Sequence, residues 1–350
     1  MSSKTNIALY VDEDAQFSVQ RGTHHEDIAP NELLIETHYS GVNPADVKHS
    51  TQLGIRATVI GYDFCGVVLK SFPGSQYKEG DLVAGYTPSG LGRLLKYGAH
   101  QSFLAVPEDM IFKVPDNLPA AHAAALTVVT MTAADALYNL FKFPLPTNPG
   151  SISAPILIWG ASAGVGQAAV QFARASGYQN ILVTASPGRH EALKTVGATL
   201  TFDYASATVI TDIISAVKAL GQGPITHALD AAGTTGSADL MIQSVSDSVS
   251  LASVVLRPGG KFRMPVAGTK DDWKIHVPGS PGPMAIPARP ADHWRSWDAL
   301  KWAVDNYGTA FKLLSVDVLE VTGEEALEAT QDVASGKRGF GKVVFRHPLK

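Results

Sequence analysis

The stretch Ile156-Leu-Ile-Trp-Gly-Ala-Ser-Ala-Gly-Val-Gly-Gln-Ala-Ala-Val-Gln-Phe172 decides how the chain is read. Four apolar residues run into a turn of small residues, and an apolar helical pattern follows. That order predicts a buried parallel strand, a tight loop and a helix start. The turn reads Gly160-x-x-x-Gly164-x-Gly166, a variant of the dinucleotide-binding loop rather than a strict G-x-G-x-x-G. A pyrophosphate must come close to backbone N–H groups at the positive end of a helix, and a Cβ there would block it. Ser162, Gly164, Val165 and Gly166 are therefore expected to line the cofactor phosphates.

The same residues admit a second reading. Gly160-Ala-Ser-Ala-Gly164 also matches G-x-S-x-G, the nucleophile elbow of a serine hydrolase, which sits between a strand and a helix too. Asp230 and His276 or His293 follow in the order such a triad needs. Against it stand Gly166 and the alanine pair behind it, which suit a helix packed tightly on a phosphate loop. A complete extra domain also precedes the turn.

Downstream, strand and helix alternate. Strands are expected at 180–186, 198–204, 225–230 and 260–264, with helices near 189–196, 206–220 and 236–248. That spacing predicts a doubly wound parallel sheet. Residues 276–291 are rich in proline and glycine and read as a loop, 294–314 as helical, and 319–350 as strand, helix and closing strand. Upstream, residues 4–70 and 77–107 read as many short strands separated by turn residues, the pattern of a small barrel. Between these regions, 119–140 is rich in Ala, Leu and Thr at helical spacing.

The 350 residues suffice for two cores. A net charge of −4 gives no sign of a nucleic-acid surface, and the single cysteine, Cys65, rules out an internal disulfide framework or a cysteine-built zinc site. No apolar run approaches the ~20 residues that span a bilayer. The expectation is a soluble, cytoplasmic protein with no membrane partner.

Several motifs together resemble the medium-chain dehydrogenase/reductase superfamily. They are Gly41-Val-Asn-Pro-Ala-Asp-Val-Lys48, Ile60-Gly-Tyr-Asp-Phe-Cys-Gly-Val-Val68, Gly80-Asp-Leu-Val, Thr130-Met-Thr-Ala133, the glycine loop and Gly336-Lys-Arg-Gly-Phe-Gly-Lys-Val-Val344. The resemblance implies an α/β chain with a GroES-like β-barrel catalytic domain, residues 1–128 and 292–350, and a doubly wound parallel-sheet Rossmann cofactor domain, residues 129–291. Where zinc alcohol dehydrogenases of the superfamily carry a cysteine ligand, this chain has Asn43. Their Gly-His-Glu segment is Gly61-Tyr62-Asp63, and their four-cysteine lobe is missing. The chain is thus similar to the zinc-independent branch of quinone oxidoreductases and enoyl reductases. Asn43-Pro-Ala-Asp-Val-Lys48, Ser186-Pro187 and Gly197-Ala-x-x-x-x-Asp-Tyr204 most resemble fungal trans-acting enoyl reductases, which partner polyketide synthases in secondary metabolism.

An NAD site needs a carboxylate at the end of the second strand for the ribose 2′-OH. Here Ala185-Ser186-Pro187 ends that strand, and Arg189 and Lys194 follow. A hydroxyl and cations suit the 2′-phosphate of NADPH, so Ser186, Arg189, Lys194 and Tyr204 are assigned to it. Lys342 is expected at the cofactor as well. Without a metal, the charge that builds on a substrate carbonyl needs a positioned donor. The resemblance puts Lys48 in that role, Thr132 near the nicotinamide and carbonyl, and Asn43 where it would orient either. Mitochondrial-type relatives carry a tyrosine shortly after the Asn-Pro motif. Ser50-Thr-Gln-Leu-Gly-Ile has none, and Tyr62 is only a weak substitute.

Three further patterns are read as inert: Tyr138-x-x-x-Lys142 as linker core and surface, His24-His25-Glu26 as a polar loop, and Cys65 as a core thiol. The expected activity is NADPH-dependent reduction of a carbonyl-conjugated C=C bond on a small or carrier-bound acyl substrate. The rivals are a free-standing quinone or enone oxidoreductase and a redox-neutral or cyclising enzyme. Prolines at 277–290 lean towards a monomer, because proline cannot extend an edge ladder.

Overall fold

The structure is a computed structural model and describes residues 6–22 and 28–350. His24-His25-Glu26 lies outside the described residues. The chain divides into two compact units, residues 1–128, 271–289 and 315–350, and residues 129–270 and 290–314.

The second unit is built on a six-stranded, all-parallel sheet. Its order is Leu200–Asp203, Ile181–Ala185, Ile156–Trp159, His227–Asp230, Ser250–Ser253 and Phe262–Arg263. The first of these strands in sequence, Ile156–Trp159, lies between the second and the fourth. This is the strand order of a dinucleotide-binding sheet, which changes direction beside that strand. All four residues of Ile156–Trp159 are buried, as they must be where helices cover both faces. Helix Val209–Leu220 buries Val209 and Ile213, one turn apart, against Leu157, Leu182 and Ile225. It ends at Gly221, whose φ of 64° is the left-handed conformation that closes helices.

The first unit is mostly antiparallel. Its larger sheet runs Val316–Leu319, Lys342–Arg346, Glu32–Gly41, Asp63–Lys70, Leu82–Tyr86 and Ile111–Lys113, with Phe103–Pro107 also on Glu32–Gly41. A smaller sheet joins Phe17–Gly22, Asn6–Val11 and Thr58–Val59. Leu9, Val11, Ile60, Val343, Phe345 and Ala326 of helix Gly323–Ala334 share one core, so the end of the chain folds into this unit.

The units differ from the expected boundaries in two places. Residues 290–314 belong to the second unit, not the first. Helix Pro290–Asp305 is held there: Asn139 Nδ2 donates to Asp292 O and Ser296 Oγ, both at 2.9 Å, and Arg295 donates to Phe143 O. Residues 271–289 belong to the first unit and are not all loop. Trp273–Ile275 and Met284–Ile286 form an antiparallel ladder, tied to the first unit by His276 N to Leu53 O at 2.8 Å and by Ile275 packing on Leu53 and Ile55. Proline and glycine composition over 276–291 masked the second of these short strands. The segment 119–140 resolves into helix Ala120–Ala123, helix Thr127–Ala134 and a π-helical turn, Asp135–Leu140.

Candidate active site

In the second unit the glycine loop joins strand Ile156–Trp159 to helix Gly164–Ala175. Gly160 has φ +80°, a conformation side chains resist, and a Cβ there would lie 2.6 Å from Ala232 Cβ. At Gly166 a Cβ would lie 2.6 Å from Gly160 O and 2.7 Å from Ala161 Cα, so only glycine lets the helix sit on the loop. The loop is tethered to the neighbouring strand by Gly160 N to Thr184 Oγ1 and Ala161 N to Thr184 O, both 3.0 Å. Gln167 Nε2 holds Ser162 O at 2.8 Å. No side chain caps the helix at Ala163, and Ser162, Gly164 and Val165 are half-buried. Uncapped N–H groups at the start of a three-turn helix, over a cradle with no Cβ, fit a pyrophosphate.

Ser162 does not carry the hydrolase alternative. Its φ is not left-handed, no histidine bonds it among the described residues, and Asp230 is committed elsewhere. Arg257 pairs with Asp230 at 2.7 Å, and Ser253 Oγ and Gly233 N also donate to its carboxylate.

The end of the second strand is exposed. Ser186 follows Ala185, and Tyr204 follows Asp203. The register Ala185↔Asp203 therefore sets Ser186 and Tyr204 side by side at the same sheet edge. Arg189 is exposed on the turn Pro187–Arg189. Lys194, also exposed, pairs with Glu191 at 2.7 Å. An exposed pair of this kind is weak and screened, so the ammonium can exchange partners.

In the first unit Asn43, Asp63 and Lys342 form one buried cluster. Asn43 Nδ2 donates to Asp63 Oδ2 at 2.9 Å, and Lys342 Nζ donates to Asn43 Oδ1 at 2.5 Å and Val42 O at 2.8 Å. The ammonium lies 3.7 Å from Asp63 Oδ2, whose partner oxygen accepts from Val128 N at 2.8 Å. Burial pushes the Asp63 carboxyl up to about 6, against the opposing pull of Lys342, and burial also lowers Lys342. Asn43, expected to orient a ligand, and Lys342, expected at the cofactor, meet each other in this cluster. Asn43 is 2 % exposed and Lys342 5 %, and their polar atoms are turned on each other.

Asp46 extends the cluster. Its Oδ2 accepts from Asn43 N at 2.8 Å and lies 3.1 Å from His100 Nε2. Ser40 Oγ then bridges His100 and His347 at 2.8 and 2.7 Å. These residues anchor the short helix Ala45–Gln52, which carries half-buried Lys48 and His49. His49 Nδ1 is 2.8 Å from Tyr62 OH, and Arg93 lies over the Tyr62 ring at 4.5 Å. Reading the sequence missed Asp46, His49, Arg93 and His100. Only Asp46, three residues after Asn43, left a local signal. His100 and Arg93 meet the cluster from distant segments.

Thr132 belongs to the second unit, half-buried in helix Thr127–Ala134 just before the π turn. Such turns recur where a helix aims a side chain at a function. Tyr138 is fully buried against Phe172 and Lys142 is exposed, and burial pushes the Cys65 thiol up to about 12.

Residues 29–116 match the family described as Alcohol dehydrogenase GroES-like domain, and residues 164–274 the one described as Zinc-binding dehydrogenase. Trans-enoyl reductase eqxC of Fusarium heterosporum is 30% identical over 347 residues, covering 91% of this chain and 92% of that protein. The chain belongs to the medium-chain dehydrogenase/reductase superfamily. Trans-enoyl reductase fsa3 of Fusarium sp. (strain FN080326) is 29% identical, with 99% of each chain covered. Among solved structures, the CurK enoyl reductase superposes with a TM-score of 0.72 at 20% identity, covering 99% of this chain and 100% of that one. The quinone oxidoreductase from Coxiella burnetii gives 0.70 at 19%, with the same coverage. The fold is therefore a GroES-like domain with a Rossmann domain, and the protein is an oxidoreductase that takes a nicotinamide cofactor.

A zinc ion does not fit this donor set. Asn43 stands at the cysteine-ligand position with its carbonyl oxygen on an ammonium, and Tyr62 stands for the histidine. Among the described residues no group of three or more His, Cys, Asp or Glu could hold a metal. No helix of the described residues is long and apolar enough to cross a membrane.

Proposed function

We propose that the protein is an NADPH-dependent enoyl reductase that acts in trans on acyl chains carried by a polyketide synthase. The observation that carries the reading is the near full-length relation to trans-enoyl reductases, joined to a second strand that ends in Ser186 rather than a carboxylate. When bound, the dinucleotide would supply a hydride to the carbon β to the carbonyl.

The chain's own residues do the rest. First-turn N–H groups of helix Gly164–Ala175 hold the pyrophosphate, with Ser162 and Val165 beside it. Ser186, Arg189, Lys194 and Tyr204 hold the 2′-phosphate, whose charge of about two is met by two cations and two hydroxyls. Lys48 donates to the carbonyl oxygen as charge builds there. Thr132 donates to the same carbonyl or to the nicotinamide amide. Asn43 and Lys342 hold the start of the Lys48 helix.

Fluorescence titration with NADPH and NADH tests the reading on wild type, Ser186→Ala and Arg189→Ala. The expected result is a strong NADPH preference that each variant weakens by about tenfold, one charge-assisted hydrogen bond. Equal affinity for the two cofactors refutes it. Turnover of free quinones but not of enoyl thioesters would favour the quinone oxidoreductase reading, which the fold neighbours keep in view.

A further inference from the structure

Reduction of an enoyl chain is complete only when a proton reaches the α carbon, and none of the residues above supplies it. The first unit holds a hydrogen-bonded series beside Lys48 that the mechanism has not used. Ser89 Oγ donates to Tyr62 OH at 3.4 Å, and Tyr62 OH lies 2.8 Å from His49 Nδ1. With Ser89 donating to its oxygen, Tyr62 has its own proton to give to Nδ1. His49 is then the tautomer with hydrogen on Nε2. That Nε2 bonds no protein group among the described residues, and it is not a buried unpaired atom. That nitrogen therefore keeps some access to solvent, on the same helix as Lys48.

Arg93 supplies the charge for such a series. It is 7 % exposed, and its guanidinium donates to Pro88 O, Val59 O, Gly61 O, Tyr97 O and Thr87 Oγ1 at 2.6–2.9 Å. Among the described residues no carboxylate lies within ion-pair distance of it. A buried cation held only by neutral acceptors is uncommon, because burial of charge is costly without a counter-ion. Its neighbour at 4.5 Å is the Tyr62 ring. Asp46 is the carboxylate whose charge acts on His49, Tyr62 and Arg93 alike.

We propose that His49 delivers the proton to the α carbon, re-protonated at its other nitrogen by Tyr62, with Arg93 as the standing counter-charge. This rests on the enoyl reductase reading. Hydride addition at the β carbon leaves the chain as an enolate. The α carbon takes the Nε2 proton of His49 as Nδ1 takes the phenolic proton of Tyr62, which becomes phenolate beside Arg93. Nδ1 then hands its proton back to the Tyr62 phenolate as Nε2 takes one from solvent, which restores the starting tautomer, while half-buried Ser89 keeps its hydrogen bond to the Tyr62 oxygen. The sum is one hydride and one proton added across the double bond. An enolate is far more basic than a phenolate, so the transfer runs downhill. Burial pulls the His49 pKa down to about 4, so the imidazole is neutral near pH 7 and works as a carrier between tautomers.

The test uses the full chain with NADPH and crotonyl-N-acetylcysteamine thioester in deuterated buffer. Wild type should place deuterium on one face of the α carbon. His49→Gln should lower kcat by about a hundredfold with KM nearly unchanged, the usual weight of a general acid, and should mix the faces. Tyr62→Phe keeps the ring under Arg93 and should also lower kcat by tenfold or more. In the protein without cofactor, nitrogen NMR shifts of His49 should show the Nε2–H tautomer in wild type and lose that preference in Tyr62→Phe. A His49→Gln variant that keeps its rate and single face overturns the relay while the reductase reading stands. An Nδ1–H tautomer in wild type does the same. Wild type that binds NADPH but reduces neither the thioester nor an enone overturns the reductase reading and the relay with it.

Discussion

Adding one methyl group at Gly166 tests the phosphate loop directly. In Gly166→Ala the new Cβ would sit 2.6 Å from Gly160 O and 2.7 Å from Ala161 Cα, where ordinary contact begins at 3.4 Å. Both neighbours are backbone, so no side chain can swing away. The loop is pinned by Thr184 on one side, and Gln167 is pinned by Ser162 O and by Leu314 N, which donates to its Oε1 at 3.1 Å. Helix and loop must therefore part by about 0.8 Å. Overpacking of this kind costs about 1–3 kcal/mol of stability. A donor displaced that far leaves the hydrogen-bonding range of a phosphate oxygen, a loss of about 1.5–3 kcal/mol for a charged acceptor. NADPH affinity should fall roughly 10- to 150-fold. Intrinsic fluorescence titration reads the affinity and thermal melting reads the stability. Gly236→Ala, which meets nothing within 4 Å, is the control in the same unit. If Gly166→Ala binds NADPH as wild type does, the N-terminus of helix Gly164–Ala175 is not the pyrophosphate site.

Lys342→Met should destabilise the first unit by about 3–5 kcal/mol, because it leaves Asp63 charged, fully buried and short of a cation. Adding Asp63→Asn should recover part of that loss in urea melts, and no recovery would mean the two charges are not coupled. Lys48→Ala should lower kcat on an enoyl thioester by about a hundredfold with an unchanged thermal midpoint, whereas an equal loss of stability would make Lys48 structural. Acidification should also destabilise the protein. Burial lowers His49 to about 4 and His347 to about 3, so the unfolded chain takes up protons first, and the stability each contributes is whole above pH 6.5 and lost as pH falls. Asp63, raised to about 6, works in the opposite sense between pH 6 and its unfolded value near 4. From pH 7 to 5 these two histidines outweigh the one carboxyl by about 2 kcal/mol, and His227, which burial lowers to about 4, adds to the loss read in urea melts. A flat profile would refute the neutral buried imidazoles.

The second unit was legible in the sequence because its rules are local. An apolar run, a small-residue turn and a helical pattern are adjacent in Ile156–Phe172, and the strand spacing repeats. Even so, Ser237–Gln243 is shorter than the helix expected over 236–248, because Ser244 to Val249 turn instead of continuing. The first unit hid more. Glu32–Gly41 pairs with three strands drawn from 63–70, 103–107 and 342–346, and nothing local announces those partners. For the same reason the partners of Asn43 were not legible. Its two polar ends meet Asp63, 20 residues on, and Lys342, 299 residues on. The resemblance identified the position but carried no information on what would close around it. Strand Met284–Ile286, which pairs with Trp273–Ile275, was lost for another reason: Pro283 and Pro287 flank it.

The helix that carries Lys48 and His49 could not stand by itself. Ala45–Gln52 has eight residues, below the ~12–15 at which an isolated helix becomes even marginal, and Pro44 gives it no side-chain cap. Its buried residues are Asp46 and Ser50, not an apolar stripe. What fixes it is directional: Asp46 to Asn43 N and His100, Arg56 Nε to Ser50 O at 3.0 Å, and Leu53 N and Ile55 N to His49 O. Apolar packing is non-directional and would let so short a helix turn about its axis. Hydrogen bonds to Asp46 set its rotation, and with it where Lys48 and His49 point. The arrangement has a cost, since Asp46 Oδ1 is buried without a partner among the described residues. The buried cluster around Asn43, Asp63 and Lys342 thus earns its place by aiming two side chains, and damage to it should reach catalysis through geometry before it reaches it through unfolding.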